Sequence, residues 1–269
     1  MPDKARKASG TRTVGGYEID AFICRADNYA VLIHDSDSDA TCSIDAPDSE
    51  AIAARLAERG WSLDLILVTH RHGDHVAGNA MLKEQFGCRI VGPDSEAGDI
   101  PAIDQGVGEG DSVPFGRHLF EVIETPGHTA GHVSYVDREA GLAFVGDTLF
   151  SLGCGRLFGN SAELMWQSLK KLAALPRETL VYCGHEYTEK NGEFAETVEP
   201  NNIDLQARIE EVRRIRAEGG MTLPTTMGLE LMTNPFLRAD KPRLKAAIGM
   251  ESAEPADVFR VLRQRKDAF

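Results

Sequence analysis

The sequence predicts an α+β fold, with layered sheets carrying a polar site along one edge and a helical region after them. Three observations lead there. Apolar runs of strand length alternate with helix-period segments over roughly the first two thirds of the chain. Several of those runs stop abruptly at loops bearing histidine or aspartate: Leu65-Ile66-Leu67-Val68-Thr69 before His70, His118–Glu124 before His128, Leu142–Gly146 before Asp147, and Thr179–Tyr182 before His185. From Tyr187 to Phe269 the pattern is helices and turns without a convincing strand.

Taken in order, Tyr17–Ile23 and Ala30–His34 read as strands joined through a turn to Glu50–Arg59. That segment has helical apolar spacing through Ile52 and Leu56, and Gly60 at its end. The Leu65 run is apolar throughout, as expected of a buried parallel strand. A helix is expected from Val76 to Phe86, closed by Gly87. Arg89–Val91 is a short strand, and the Gly-, Pro- and Asp-rich stretch Gly92–Asp111 reads as loop. His118–Glu124, His132–Val136 and Leu142–Gly146 follow as strands. Asn160-Ser161-Ala162-Glu163 resembles a capping box opening a helix to Leu175. Asp204–Glu218 is a long helix closed by Gly219-Gly220. The expected organisation is a disordered tail over 1–12, a domain of mixed strands and helices over 13–186 and a helical domain over 187–269.

The chemistry concentrates in His70-Arg71-His72-Gly73-Asp74-His75. In an extended turn, residues two apart project to one side, so His70 and His72 face together. Asp74 and His75 follow as the chain turns helical, so one loop can face two adjacent metal positions. Imidazole and carboxylate without cysteine suit Zn, Fe or Mn. Any one of His128, Asp147 or His185 is a weak signal alone, since a histidine after glycine is more often a turn residue. Together, at strand ends that share a sheet edge, they complete a metal constellation. His132 is a candidate for supporting that site, although a structural hydrogen bond explains it equally well.

Composition limits the alternatives. The chain has 269 residues, 42% hydrophobic and 26% charged, with 29 Lys and Arg against 42 Asp and Glu and a net charge of -13. That balance argues against a nucleic-acid surface. No apolar stretch reaches the roughly 18 residues of a membrane span. Five widely spaced cysteines (Cys24, Cys42, Cys88, Cys154, Cys183) fit reduced thiols in a cytoplasmic protein better than a disulfide framework. Arg260, Arg263, Arg265 and Lys266 form a local basic patch within an acidic whole.

The motif Thr69-His70-Arg71-His72-Gly73-Asp74-His75, followed by His128, Asp147 and His185, resembles the metallo-β-lactamase superfamily. The resemblance implies a four-layer αββα sandwich with a dinuclear site at one edge. Carried over, His70, His72 and His128 would hold one divalent metal. Asp74, His75 and His185 would hold a second, and Asp147 would bridge them. Asp74 and Asp147 thereby belong to the catalytic set, and Zn is the expected metal, with Fe and Mn accepted by the same ligands. Within the superfamily the chain is most similar to the hydroxyacylglutathione hydrolases, or glyoxalase II. The similarity runs through Gly146-Asp147-Thr148-Leu149-Phe150, Gly153-Cys154-Gly155-Arg156-Leu157-Phe158, Tyr182-Cys183-Gly184-His185-Glu186-Tyr187 and Asn234-Pro235-Phe236-Leu237-Arg238. It ends at Arg263-Gln264-Arg265-Lys266-Asp267.

By that likeness Arg156, Tyr187, Arg263 and Lys266 would hold the peptide of a glutathione thioester. Phe158 stands where some members carry a tyrosine, and Gly159-Asn160 where Glu-Gly is usual. The implied activity is hydrolysis of S-2-hydroxyacylglutathione, chiefly S-D-lactoylglutathione, to glutathione and D-lactate, the second step of methylglyoxal detoxification. No nucleic-acid or membrane partner is expected. Two rivals share the motif: an Fe(II)-dependent glutathione persulfide dioxygenase, whose C-terminal region is shorter, and a non-catalytic metal-binding protein.

Overall fold

A computed structural model describes residues 9–269. Strands β1 (Ser9–Val14), β2 (Tyr17–Cys24), β3 (Asn28–Asp35), β4 (Ala40–Ile44), β5 (Leu65–Leu67), β6 (Arg89–Pro93) and β7 (Gln105–Val107) form one sheet in that order. β1 to β4 pair antiparallel, and β4 to β7 pair parallel. The second sheet contains β8 (Ser112–Phe115), β9 (His118–Glu124), β10 (Val133–Asp137) and β11 (Leu142–Phe144). A separate small hairpin, β12 (Leu149–Phe150) with β13 (Gly153–Cys154), precedes its remaining strands, β14 (Leu180–Tyr182) and β15 (Thr225–Thr226). Its spatial order is β15-β14-β11-β10-β9-β8.

Strand periodicity builds the layers. In β2, Tyr17, Ile19 and Ala21 join the core shared with Phe120, Val122 and Phe144 of the other sheet. Phe22 and Cys24 point the opposite way, into a core with Ile52, Leu56 and Leu82. Those last residues come from helices α1 (Ser49–Arg59) and α3 (Asn79–Phe86), which cover the outer face of the first sheet. A short helix, α2 (Gly73–Val76), lies between them in sequence. Helix α4 (Ala162–Ala173) starts at Ser161, whose side chain accepts from the Leu164 N–H at 3.0 Å. It packs Met165, Trp166 and Leu169 beside Phe236 and Phe259 in the same core cluster as the second sheet. The result is the four-layer αββα sandwich of the α+β class.

The C-terminal region adds α5 (Thr188–Val198), α6 (Ile203–Ala217), α7 (Met227–Thr233), α8 (Pro242–Ala247) and α9 (Pro255–Ala268). Two buried carboxylates tie it to the sandwich. Glu186 accepts from the Tyr29 hydroxyl and from the Thr222 N–H at 2.9 Å. Glu230 accepts from the Ser151 hydroxyl (2.9 Å), the Leu152 N–H (2.8 Å) and the Thr225 hydroxyl (2.7 Å). Among the described residues no helix is long and apolar enough to cross a membrane.

Several expectations are corrected. Of the tail expected over 1–12, residues 1–8 lie outside the described residues. Residues 9–12 belong to β1, whose backbone pairs with β2. The single helix expected from Val76 to Phe86 is broken at Ala77-Gly78. There the Gly78 N–H donates to the Ala46 carbonyl at 2.8 Å, and a Cβ would lie 2.9 Å from that oxygen. The stretch 92–111 is not all loop: it contains a 3₁₀ turn, Asp94–Asp99, and the edge strand β7. The C-terminal region is not strand-free either, since Thr225–Thr226 pair with Leu180 and Val181 and extend the second sheet.

Candidate metal centre

The strand ends converge as the sequence suggests, because hydrogen bonds sew the two sheets together along one edge. Val133 donates to the Thr69 carbonyl (2.9 Å) and Tyr29 to Gly184 (2.8 Å), while Gly184 donates to Gly146 (3.0 Å) within the second sheet. The Tyr135 hydroxyl donates to the Val68 carbonyl at 2.8 Å. The loops after β5, β9, β11 and β14 therefore face one another across a short gap.

Seven side chains meet there. His70 Nε2 lies 3.1 Å from His72 Nδ1, which lies 2.9 Å from His128 Nε2. His185 Nε2 lies 3.3 Å from both His75 Nε2 and Asp74 Oδ2. Asp147 sits between the two groups: Oδ2 is 3.4 Å from His128 Nε2 and from His185 Nε2, and Oδ1 is 3.4 Å from His75 Nε2. Asp147 is buried, and its Oδ1 has no hydrogen-bond partner.

The remaining ring nitrogens explain what this cluster needs. His75 Nδ1 faces Asp45 Oδ2 at 2.8 Å, and His185 Nδ1 faces Asp27 Oδ1 at 2.8 Å. His128 Nδ1 faces the Arg156 carbonyl at 3.0 Å. His70 Nδ1 faces the Thr69 hydroxyl at 3.0 Å, which itself donates to Asp45. Each of these partners accepts, so each Nδ1 carries the proton and each Nε2 presents a lone pair. With the rings neutral, four imidazole lone pairs and two carboxylates converge with no donor among them, a set that a cation between them satisfies. Without one, the same carboxylates draw protons onto His75 and His185. A metal about 2.0–2.1 Å from each ligand holds tetrahedral neighbours about 3.3–3.4 Å apart, which is the spacing of most of these contacts. The residues present fit a divalent-metal centre.

Protonation follows the same electrostatics. Burial holds His70, His72 and His128 below the usual histidine range. Burial also opposes charge on His75 and His185, but the surrounding carboxylates outweigh it. Asp147 and Asp45 raise His75 well above its ordinary value, and Asp147 with Asp74 pushes His185 up to about 10. Asp74 is held well below the carboxylate range, first by its hydrogen bond to His185. Asp147 also stays low despite its burial, because His75 and His185 face it.

The backbone leaves no slack. A Cβ on Gly184 would lie 2.3 Å from Asp147 Oδ1, and one on Gly155 would lie 2.0 Å from the Asp147 carbonyl. Gly146 has φ +46, and a Cβ there would meet His132 Nε2 and Thr69 Oγ1 at 2.6 Å. His132 is fully buried and accepts from the Asp147 N–H at 3.1 Å, so it supports the loop rather than joining the cluster. His34 and His118 lie elsewhere, against Thr41 and Asp137.

The cluster forms the floor of a cavity of about 790 Å³. Phe150, Phe158 and Tyr187 line its walls. The Tyr187 ring stacks on His185 with centroids 4.8 Å apart. Phe158 presents its edge to His72 (5.5 Å) and His128 (5.3 Å), with φ +39 and its side chain largely exposed. Arg156, Arg263 and Lys266 reach the same cavity. Arg156 is open to solvent, whereas Arg263 is buried, its Nη1 donating to the Cys154 carbonyl at 2.8 Å. Lys266 donates to the Lys190 carbonyl at 2.8 Å. Burial and the neighbouring Arg263 charge lower Lys266 to about 8.

Sequence reasoning missed the groups that orient the histidines, Asp45 and Asp27. It also missed Asn28, which donates to Asp74 Oδ2 at 3.2 Å. Asp45 carried a signal, since it directly ends β4, the strand beside β5, and so shares the edge. Asp27 and Asn28 sit at the turn entering β3 and carried none.

The αββα sandwich with a His/Asp centre on its edge defines the metallo-beta-lactamase superfamily, whose family model matches residues 39–185. A second model, described as the hydroxyacylglutathione hydrolase C-terminus, matches residues 186–269. A hydroxyacylglutathione hydrolase of Rhizobium meliloti is 57% identical over 252 residues, covering 94% of this chain and 98% of that protein. One from Brucella ovis is 53% identical over the same length, with the same coverage. Among solved structures, a protein crystallised in a di-iron-bound form aligns with TM-score 0.60 and 27% identity, covering 80% of this chain and 98% of that one. The chain belongs to the hydroxyacylglutathione hydrolase family.

Proposed function

We propose that this enzyme hydrolyses S-2-hydroxyacylglutathione thioesters, S-D-lactoylglutathione foremost, to glutathione and the 2-hydroxy acid. That reaction is the second step of methylglyoxal detoxification. The observation that carries the proposal is the acceptor-only cluster on the floor of a cavity whose far side offers cations to a peptide. The family relatives named for this reaction support it.

Two divalent ions, Zn or the Fe that the di-iron relative binds, would supply an activated water and polarise the thioester carbonyl. His70, His72 and His128 would hold one and Asp74, His75 and His185 the other, with Asp147 shared between them. Asp45 and Asp27 fix the imidazole tautomers that keep the lone pairs inward. Phe150, Phe158 and Tyr187 restrict water around the acyl group. Arg156 and Lys266 face the anionic peptide. The leaving group is a thiolate whose conjugate thiol has a pKa of about 8.5, so it departs without a dedicated general acid. A persulfide dioxygenase reading fits less well, since a hydrolase-type C-terminal region spans 186–269.

The test is loss of the thioester absorbance of S-D-lactoylglutathione, run beside elemental analysis. Hydrolysis that tracks metal content is expected. Oxygen uptake with glutathione persulfide and no thioester hydrolysis would overturn the proposal.

A further inference from the structure

One acidic side chain beside the cations of the cavity, Asp267, has no place in the reaction above. Asp267 lies on the last turn of α9, one turn beyond Arg263. Its Oδ1 accepts from Arg263 Nε at 3.1 Å and Nη2 at 2.9 Å, and lies 4.0 Å from Arg156 Nε. Other contacts of Arg263 are partly filled. Nη1 is taken by the Cys154 carbonyl, and the guanidinium lies over the Phe236 ring at 5.2 Å. The side chain is only 5% exposed, whereas that of Asp267 is 45% exposed. A carboxylate that pairs with the Nε–Nη2 edge of Arg263 meets the position that Asp267 already holds.

We propose that Asp267 is a resident stand-in for the ligand's carboxylate, occupying the Arg156–Arg263 anion position in the free protein and setting how tightly the glutathione peptide is held. The inference rests on the thioester-hydrolase reading for the identity of the ligand. An incoming carboxylate must displace Asp267 or share Arg263 with it, against the repulsion of a second negative charge. Asp267 is exposed enough to swing into water as the incoming carboxylate takes its place on the buried Arg263. Lys266 and Arg156 remain available to the ligand throughout. Because the peptide is the same in substrate and product, the repulsion weakens both equally. Its consequence is a higher KM together with weaker retention of the glutathione product.

The experiment measures binding of S-methylglutathione, which has the peptide and no scissile bond, to the metal-loaded enzyme and to its Asp267→Asn variant. Removing one charge a few ångströms from the ligand carboxylate should tighten binding about five- to tenfold at low salt. The gap should close at high salt. KM for S-D-lactoylglutathione and the inhibition constant of glutathione should fall by the same factor. Asp267→Glu, which keeps the charge, should stay within about twofold of the parent, as expected for an electrostatic effect. Asp267→Ser repeats the neutral test should Asp267→Asn alter the helix end. Unchanged or weaker binding in both neutral variants would overturn the proposal and make Asp267 a positioning residue for Arg263. Failure of the unsubstituted enzyme to hydrolyse the thioester, with S-methylglutathione still bound, would instead sink the functional reading alone.

Discussion

Replacing Gly184 with alanine should disable the metal centre while leaving the fold in place. The added Cβ would sit 2.3 Å from Asp147 Oδ1 and 2.7 Å from His75 Cε1. Real Cβ contacts essentially never fall below 3.0 Å, so the carboxylate oxygen must retreat by at least 0.7 Å, the difference between 3.0 and 2.3. Gly184 itself cannot yield, because its N–H is bonded to Gly146 and its carbonyl to Tyr29. The displacement falls on Asp147 and His75, the two side chains at the junction of the ligand groups. Site geometry tolerates about 0.5 Å, and misplacement on the 1 Å scale costs about a hundredfold in rate. Overpacking of this kind costs about 1–3 kcal/mol of stability. Gly184→Ala should therefore bind less than two equivalents of metal, hydrolyse the thioester about a hundredfold more slowly, and still unfold cooperatively. Elemental analysis, thioester absorbance and a thermal melt read the three quantities. A variant with full metal content and the parent kcat would refute the view that Asp147 must lie where the structure puts it.

Three further outcomes are expected. Asp147→Ala should lower metal content at both positions and Asp74→Ala mainly at one, because Asp147 lies against both histidine groups while Asp74 lies against His75 and His185; two full equivalents in purified Asp147→Ala would exclude sharing. Asp45→Asn should weaken metal affinity about 10–100-fold by competition with a chelator, since an amide cannot accept at once from the Thr69 N–H, the Thr69 hydroxyl and His75. Lys266 titrates at about 8, lowered by burial and by Arg263, so it is charged below that pH and neutral above. KM for the anionic thioester should accordingly rise between about pH 7 and 9, and Lys266→Ala should raise KM at pH 7 and flatten that rise.

The layered fold and the convergence of seven His and Asp side chains on one edge were legible because each combines a simple period with an abrupt change. A uniformly apolar run such as Leu65–Val68 can only be buried, and polar residues at its end must lie on the edge. The short strands β7, β8, β12, β13 and β15 were not legible, since two to four residues carry no measurable alternation. The break at Gly78 was hidden for another reason: it is imposed by the Ala46 carbonyl, from a segment distant in sequence. Asp45 and Asp27 look like ordinary turn carboxylates until the histidines they face are in place. The surroundings of Arg263 were also hidden: its basic neighbours in sequence do not show that the fold buries it and supplies Asp267 as its partner.

The two family models abut between His185 and Glu186, yet the material does not divide there. Glu186, the first residue of the C-terminal match, takes the Tyr29 hydroxyl from the opposite sheet, and Glu230 takes the Ser151 hydroxyl and Leu152 amide from the loop beside the cavity. Cutting the chain at that seam would strand those donors in a dry interior and expose the aromatic cluster of Phe194, Phe236 and Phe259. What sequence comparison records as two modules shares one buried interior in the folded chain.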